Sequence, residues 1–168
     1  VIGSDMPLPR AAARLVLDTN VVMDLFHFAA PPLAPLLQAI KSGAVLCLAD
    51  DRTLAELQRV TSYKQFRLDE VGRQRVFDAY RTLVTLVSDD LPAQPRLPKC
   101  RDPDDQMFLE LALAGQADIL ISRDNLVLKL ANARQRRCPF AILSPEPAMQ
   151  RLFGAEANGA DEADPHQA

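Results

Sequence analysis

The sequence predicts an α/β fold: a three-layer α/β/α sandwich around a mainly parallel five-stranded sheet. Two observations predict it. Short, nearly continuous apolar runs recur at Leu15–Leu17, Val45–Leu48, Val84–Val87, Ile119–Ile121 and Ala141–Leu143, as in strands buried on both faces. Helical patterns fill the intervals, and strands alternating with helices build parallel sheets.

Taken in order, Leu15–Leu17 ends on Asp18. Apolar-rich Leu33–Ile40 follows Pro31-Pro32, a pair suited to a helix start because the missing N–H groups are unpaired there anyway. After Val45–Leu48, Asp50 or Asp51 caps a helix running to Thr61. Leu68–Leu83 is amphipathic through Val71, Val76, Phe77 and Tyr80. Proline-rich Asp90–Pro98 is a surface connection. Asp104–Ala114 and Leu126–Ala133 are helical, on either side of Ile119–Ile121, and a short helix over Pro147–Phe153 follows the last strand. Residues 1–13 read as a flexible leader, with Pro7 and Pro9 flanking Leu8, and the domain spans 14–153. The acidic stretch 154–168 has no apolar periodicity and is expected to be a disordered tail.

Composition narrows the function. With 168 residues, 48% of them hydrophobic and 24% charged, the chain suits one soluble domain with its own core. It has no apolar run of membrane-spanning length and no signal-peptide pattern. Three distant cysteines, Cys47, Cys100 and Cys138, with no CxxC pair, fit buried or half-buried thiols in a reducing cytoplasm. The two histidines, His27 and His166, leave almost no material for a Ser-His-Asp triad or a structural zinc site. A net charge of −3 argues against coating nucleic acid by bulk electrostatics but not against cleaving it.

Four acidic positions carry the chemistry: Asp18 in LVLDTN, Glu56 in LAELQRV, the Asp102/Asp104/Asp105 cluster in CRDPDDQMFLELA, and Asp124 in LISRDN. Asp18 and Asp124 follow buried strands, where ligands of open α/β sheets bind. If the first and fourth strands are neighbours, these carboxylates face each other. Their desolvation is costly without a neutralising partner, and a hard divalent cation acting on a phosphate ester is the natural one. Each aspartate could instead serve only a turn or a helix cap. In the cluster, Asp102 is the best capping candidate. Asp105 opens toward the apolar stripe of Phe108, Leu109 and Ala112, and Asp104 points to solvent. Glu56, between Arg52 and Arg59, reads most simply as a surface salt-bridge residue. Thr19, Asn20 and Ser122 could orient the carboxylates or make ordinary turn hydrogen bonds.

Four motifs together, LVLDTNVV, LAELQRV followed by YKQF, CRDPDDQMFLELAL and ADILISRDNLVL, resemble the PIN domain. More narrowly they are similar to bacterial PIN toxins of toxin–antitoxin pairs, over Arg14 to Phe153. The resemblance implies a metal-dependent endoribonuclease holding Mg²⁺ or Mn²⁺. Asp18, Glu56, Asp105 and Asp124 would be its catalytic and metal-binding acids. Asp102, Asn20 and Ser122 would be auxiliary, and Asp102 stays open between support and cap. Of the basic residues near the crevice, Arg59, Lys64 and Arg123 are the candidates for holding RNA, with solvated surface charge as the alternative. Tyr63 and Phe66 could stack bases, but core or loop-anchoring roles fit them better. The resemblance further implies an antitoxin partner and, commonly, a homodimer, although the chain itself shows no clear interface.

Rivals remain at this level. The chain could be a catalytically silent PIN-fold binding module. An aspartyl-phosphate phosphatase needs a second acid two residues after the first, where Asn20 stands. A receiver domain needs a lysine after the fifth strand, where Ser144-Pro145-Glu146 stands.

Overall fold

The computed structural model describes residues 12–88, 97–132 and 138–157. Strands β1 (Ala13–Leu17), β2 (Val45–Ala49), β3 (Val84–Leu86), β4 (Ile119–Ile121) and β5 (Ala141–Leu143) form one sheet in the order β3-β2-β1-β4-β5. Every pairing is parallel, and Leu15 aligns with Cys47 on one side and with Ile119 on the other. The chain winds outward from β1 to β3, then crosses back to lay β4 on the opposite flank of β1. Strand order therefore reverses between β1 and β4, which are direct neighbours.

The helices are α1 (Thr19–Phe26), α2 (Ala34–Ser42), α3 (Asp51–Thr61), α4 (Glu70–Arg81), α5 (Gln106–Ala114), α6 (Asn125–Leu128) and α7 (Pro145–Ala157). Alternate strand residues feed two cores, which is what makes three layers. Leu15, Leu17, Cys47, Ile119 and Ile121 pack with residues of α1–α4 and α7. Val16, Leu48, Leu120 and Ile142 pack with residues of α5 and α6. The fold is thus the expected α/β sandwich, with its sheet parallel throughout.

Local chemistry explains the helix ends. A 3₁₀ turn over Pro31–Leu33 leads into α2, which stops at Gly43 in the left-handed region, φ 77°. At α3, Asp50 accepts from the Thr53 amide at 2.8 Å while its own amide donates to the Thr53 hydroxyl at 3.1 Å. That reciprocal pair satisfies two donors at the helix start.

Some expectations give way. Helix α1 has no counterpart among the helices read from the sequence. Its buried Val21, Val22, Met23 and Leu25 read as a prolonged apolar run, but the Asp18 carboxylate satisfies the Val21 amide and turns the chain at once. Val71 is 66% exposed and off the buried stripe of α4, which consists of Val76 and Tyr80. β3 is not buried on both faces: it is an edge strand, and Leu86 is 44% exposed. α7 continues to Ala157, beyond Phe153, because Ala155, Glu156 and Ala157 favour helix despite the absent periodicity. The remainder of the expected tail (158–168), most of the leader (1–11) and most of the proline-rich connection (89–96) lie outside the described residues.

The cysteines are free thiols: Cys47 and Cys100 are buried and Cys138 is half-buried. Burial pushes the Cys47 thiol up to about 12, against a weak hydrogen bond with Tyr80. Among the described residues no helix is long and apolar enough to cross a membrane.

Candidate active site

Asp18 ends β1 and caps α1, so its carboxylate sits where strand order reverses. It is 5% exposed. One oxygen accepts from the Val21 amide at 3.0 Å, and the other from the Arg123 amide at 3.1 Å and from the Ser122 hydroxyl. The same hydroxyl accepts from the Asp124 amide at 3.0 Å. Ser122, fully buried just past β4, thereby links the two strand-end aspartates.

Asp124 caps α6. A single carboxylate oxygen, Oδ1, accepts from the amides of Leu126 at 2.7 Å and Val127 at 3.3 Å. Its second oxygen makes no hydrogen bond among the described residues. Asp105 closes a 3₁₀ turn, Pro103–Asp105, at the head of α5, and its half-buried side chain makes none either. Asp102 starts that turn by accepting from the Asp104 amide at 3.0 Å, and both Asp102 and Asp104 are exposed.

These elements enclose a cleft of about 180 Å³ lined by Asp18, Glu56, Asp105 and Asp124, with Thr19 and Asn20 beside Asp18. Val60 and Phe108 supply apolar wall, and Tyr63 and Gln65 complete the lining. Asp102 and Ser122 do not line the cleft, and neither do Lys64 and Arg123.

Electrostatics in the cleft are unfavourable as they stand. Burial, then the charges of Asp124, Asp102, Asp18 and Asp104, raise the Asp105 carboxyl to about 6. Asp18 is also raised, chiefly by burial and despite the bond from Ser122. Carboxylates that raise one another's proton affinity are a site for positive charge. The donors are all oxygen, the type that hard divalent cations take. Yet among the described residues no three His, Cys, Asp or Glu side chains stand close enough to hold an ion as they are. At Glu56, Arg59 engages one oxygen, Oε2, through Nε at 2.9 Å and Nη2 at 2.6 Å. Gathering three of these donors onto one ion requires their side chains to move closer together.

A model of the PIN domain matches residues 14–126, more than half of the chain and the whole stretch that carries these acids. The chain belongs to the PIN domain family. PIN domains are generally nucleases, hydrolases that act on nucleic acid and use divalent metal ions. Among curated proteins none matches the chain.

Within this PIN domain the basic candidates are variously engaged. Arg59 also reaches Asp104 at 3.7 Å. Arg123 pairs with Asp24 at 2.5 Å and approaches Glu146 at 3.7 Å. Arg52 leaves Glu56 aside and bridges Asp50, at 3.1 Å, and Glu110 on α5. Lys64 is exposed, and no described residue pairs with it. Tyr63 is exposed at the cleft, contrary to a core or anchoring role, whereas Phe66 is buried beside His27 and Phe28. The cleft position of Gln65 has no sequence signal: a glutamine in a turn carries no periodicity or cap.

Proposed function

We propose that this PIN domain is a Mg²⁺- or Mn²⁺-dependent endoribonuclease. The observation that carries the reading is the cleft at the β1–β4 reversal, where Asp18, Glu56, Asp105 and Asp124 meet. Asp18, Asp105 and Asp124 would hold the cation once drawn together, with Glu56 joining them. When bound, the cation supplies an activated water and neutralises charge on the scissile phosphate. Ser122 bonds to the Asp18 carboxylate and to the Asp124 amide, and so ties the two positions together. Asn20 offers an amide at the cleft wall, and Asp102 steadies the turn that presents Asp105. Attack of water on phosphorus with loss of the 3′ oxygen leaves a 5′-phosphate and a 3′-hydroxyl. Arg59, Lys64 and Arg123 would hold the backbone on either side.

The biological role that fits is the toxin of a toxin–antitoxin pair, acting in the cytoplasm, with an antitoxin that covers the cleft and a homodimer as the assembled state. The deciding experiment is cleavage of single-stranded RNA with Mg²⁺ or Mn²⁺ by wild type, Asp18→Asn and Asp124→Asn. Only wild type should cleave, and equal activity in all three would sink the reading. Inhibition by the co-purified product of a neighbouring small gene would support the pairing.

A further inference from the structure

We propose that Tyr63 and Gln65 form a subsite for one unpaired nucleobase beside the catalytic carboxylates. The inference rests on the nuclease reading and names what that site requires of its substrate.

Among the described residues the lining of the cleft includes four acids and no basic residue. A cation on those acids would draw the cleaved phosphate, and what the rest of the wall can add beside it is contact with a neutral part of the substrate. The base is that part, and stacking on an aromatic ring is how proteins bind bases without charge.

Tyr63 is placed for it. Its ring is 39% exposed and lines the cleft with Asp18, Glu56, Asp105 and Asp124. The turn that carries it is fixed: the Tyr63 amide donates to the Val60 carbonyl at 3.0 Å, and the Phe66 amide donates to the Tyr63 carbonyl at 3.1 Å. Phe66 anchors the turn in the core, edge-on to His27 at 5.8 Å. The Arg59 guanidinium lies over the Tyr63 ring, 5.9 Å from its centroid, and adds positive charge to the platform. Gln65, two residues on, lines the same cleft, and its side-chain amide bonds to nothing among the described residues. A free amide offers both a donor and an acceptor to a base edge. Ring and amide together fit a base that is not already paired, so the substrate is single-stranded at the cleavage point.

The test uses the full chain with Mn²⁺ and short single-stranded RNA oligonucleotides in which one abasic residue is moved stepwise along the sequence. For wild type, kcat/KM should fall roughly 5- to 150-fold, the range spanned by loss of one base–aromatic stack, when the abasic residue flanks the cleaved phosphate. Tyr63→Ala should be slowed to a similar degree on intact RNA and should lose the abasic penalty. Tyr63→Phe keeps the ring and should retain that penalty. Gln65→Ala should flatten the base preference at that position. If Tyr63→Ala keeps the full abasic penalty while wild type cleaves, the subsite is wrong and the nuclease reading stands. If wild type cleaves no RNA, the nuclease reading falls and the subsite with it.

Discussion

The Ser122 hydroxyl, buried just past β4, donates a hydrogen bond to the Asp18 carboxylate at the end of β1. It joins the two strands at the point where their order reverses, and the Asp124 amide bonds back to it at 3.0 Å. Ser122→Ala should therefore act on two aspartates at once. Removing a group that orients metal ligands typically costs 10–100-fold in metal affinity or activity, and a loss of about that size is expected in calorimetric Mn²⁺ binding and in RNA cleavage. The stability cost should be about 1–3 kcal/mol, since Asp18 and the Asp124 amide lose a partner in a buried setting. Unchanged Mn²⁺ affinity would refute the orienting role.

Asp105 makes the metal-free protein sensitive to pH. Its folded pKa is raised to about 6 from an ordinary 3.8, first by burial and then by Asp124. Between those values the folded state keeps the proton that the unfolded state has released. Stability from this group is therefore greatest at low pH, falls as pH rises from about 4 to about 6, and stays low above that. In the presence of a chelator, the melting temperature of wild type relative to Asp105→Asn should decline across that window. Saturating Mn²⁺ should abolish or reverse the decline, because a cation held only by the folded site favours the ionised carboxylate there. A flat difference curve under chelation would contradict the assignment.

Arg59 occupies Glu56 when no cation is present. Arg59→Ala should bind Mn²⁺ a few-fold more tightly, since a positive charge beside the acids is removed and both Glu56 oxygens are left open. The same variant should bind RNA more weakly and melt close to wild type, as expected for an exposed pair. Weaker Mn²⁺ binding in Arg59→Ala would show that Arg59 positions Glu56 and does not compete for it.

Gly115 provides a control away from the cleft. A Cβ there would lie 2.6 Å from Leu48 Cδ1 and 3.2 Å from the Leu111 carbonyl and Val87 Cγ2. Gly115→Ala should destabilise by roughly 1–3 kcal/mol through overpacking, read as a lower melting temperature. Cleavage per folded molecule should stay at the wild-type level.

Much of the fold was readable because its signals are local. Ile119–Ile121 and Ala141–Leu143 are the observed strands to the residue, since central and flanking turns bound them sharply. α1 was not readable: Val21-Val22-Met23 continues the apolar character of β1, and only a side-chain cap from Asp18 separates strand from helix. Val71 misled because a valine at helical spacing looks like core until the neighbouring layer fixes which face is inward. At the cleft, strand-end position points to Asp18 and Asp124, and both also fill the cap roles that the sequence left open. Glu56 does not, because its bond to Arg59 is what a surface helix ordinarily makes. Gln65 could not be found, since its place at the cleft depends on Phe66 anchoring the turn from below.

The reversal of strand order also governs when the acids can meet. β4 enters the sheet beside β1, with Leu17 aligned to Ile121, although more than a hundred positions separate them along the chain. Asp18 is therefore synthesised more than a hundred residues before Asp124. Until β4 has emerged and docked, the nascent chain holds isolated carboxylates and no cleft. The cleft is thus a property of the folded domain and of no contiguous segment of it.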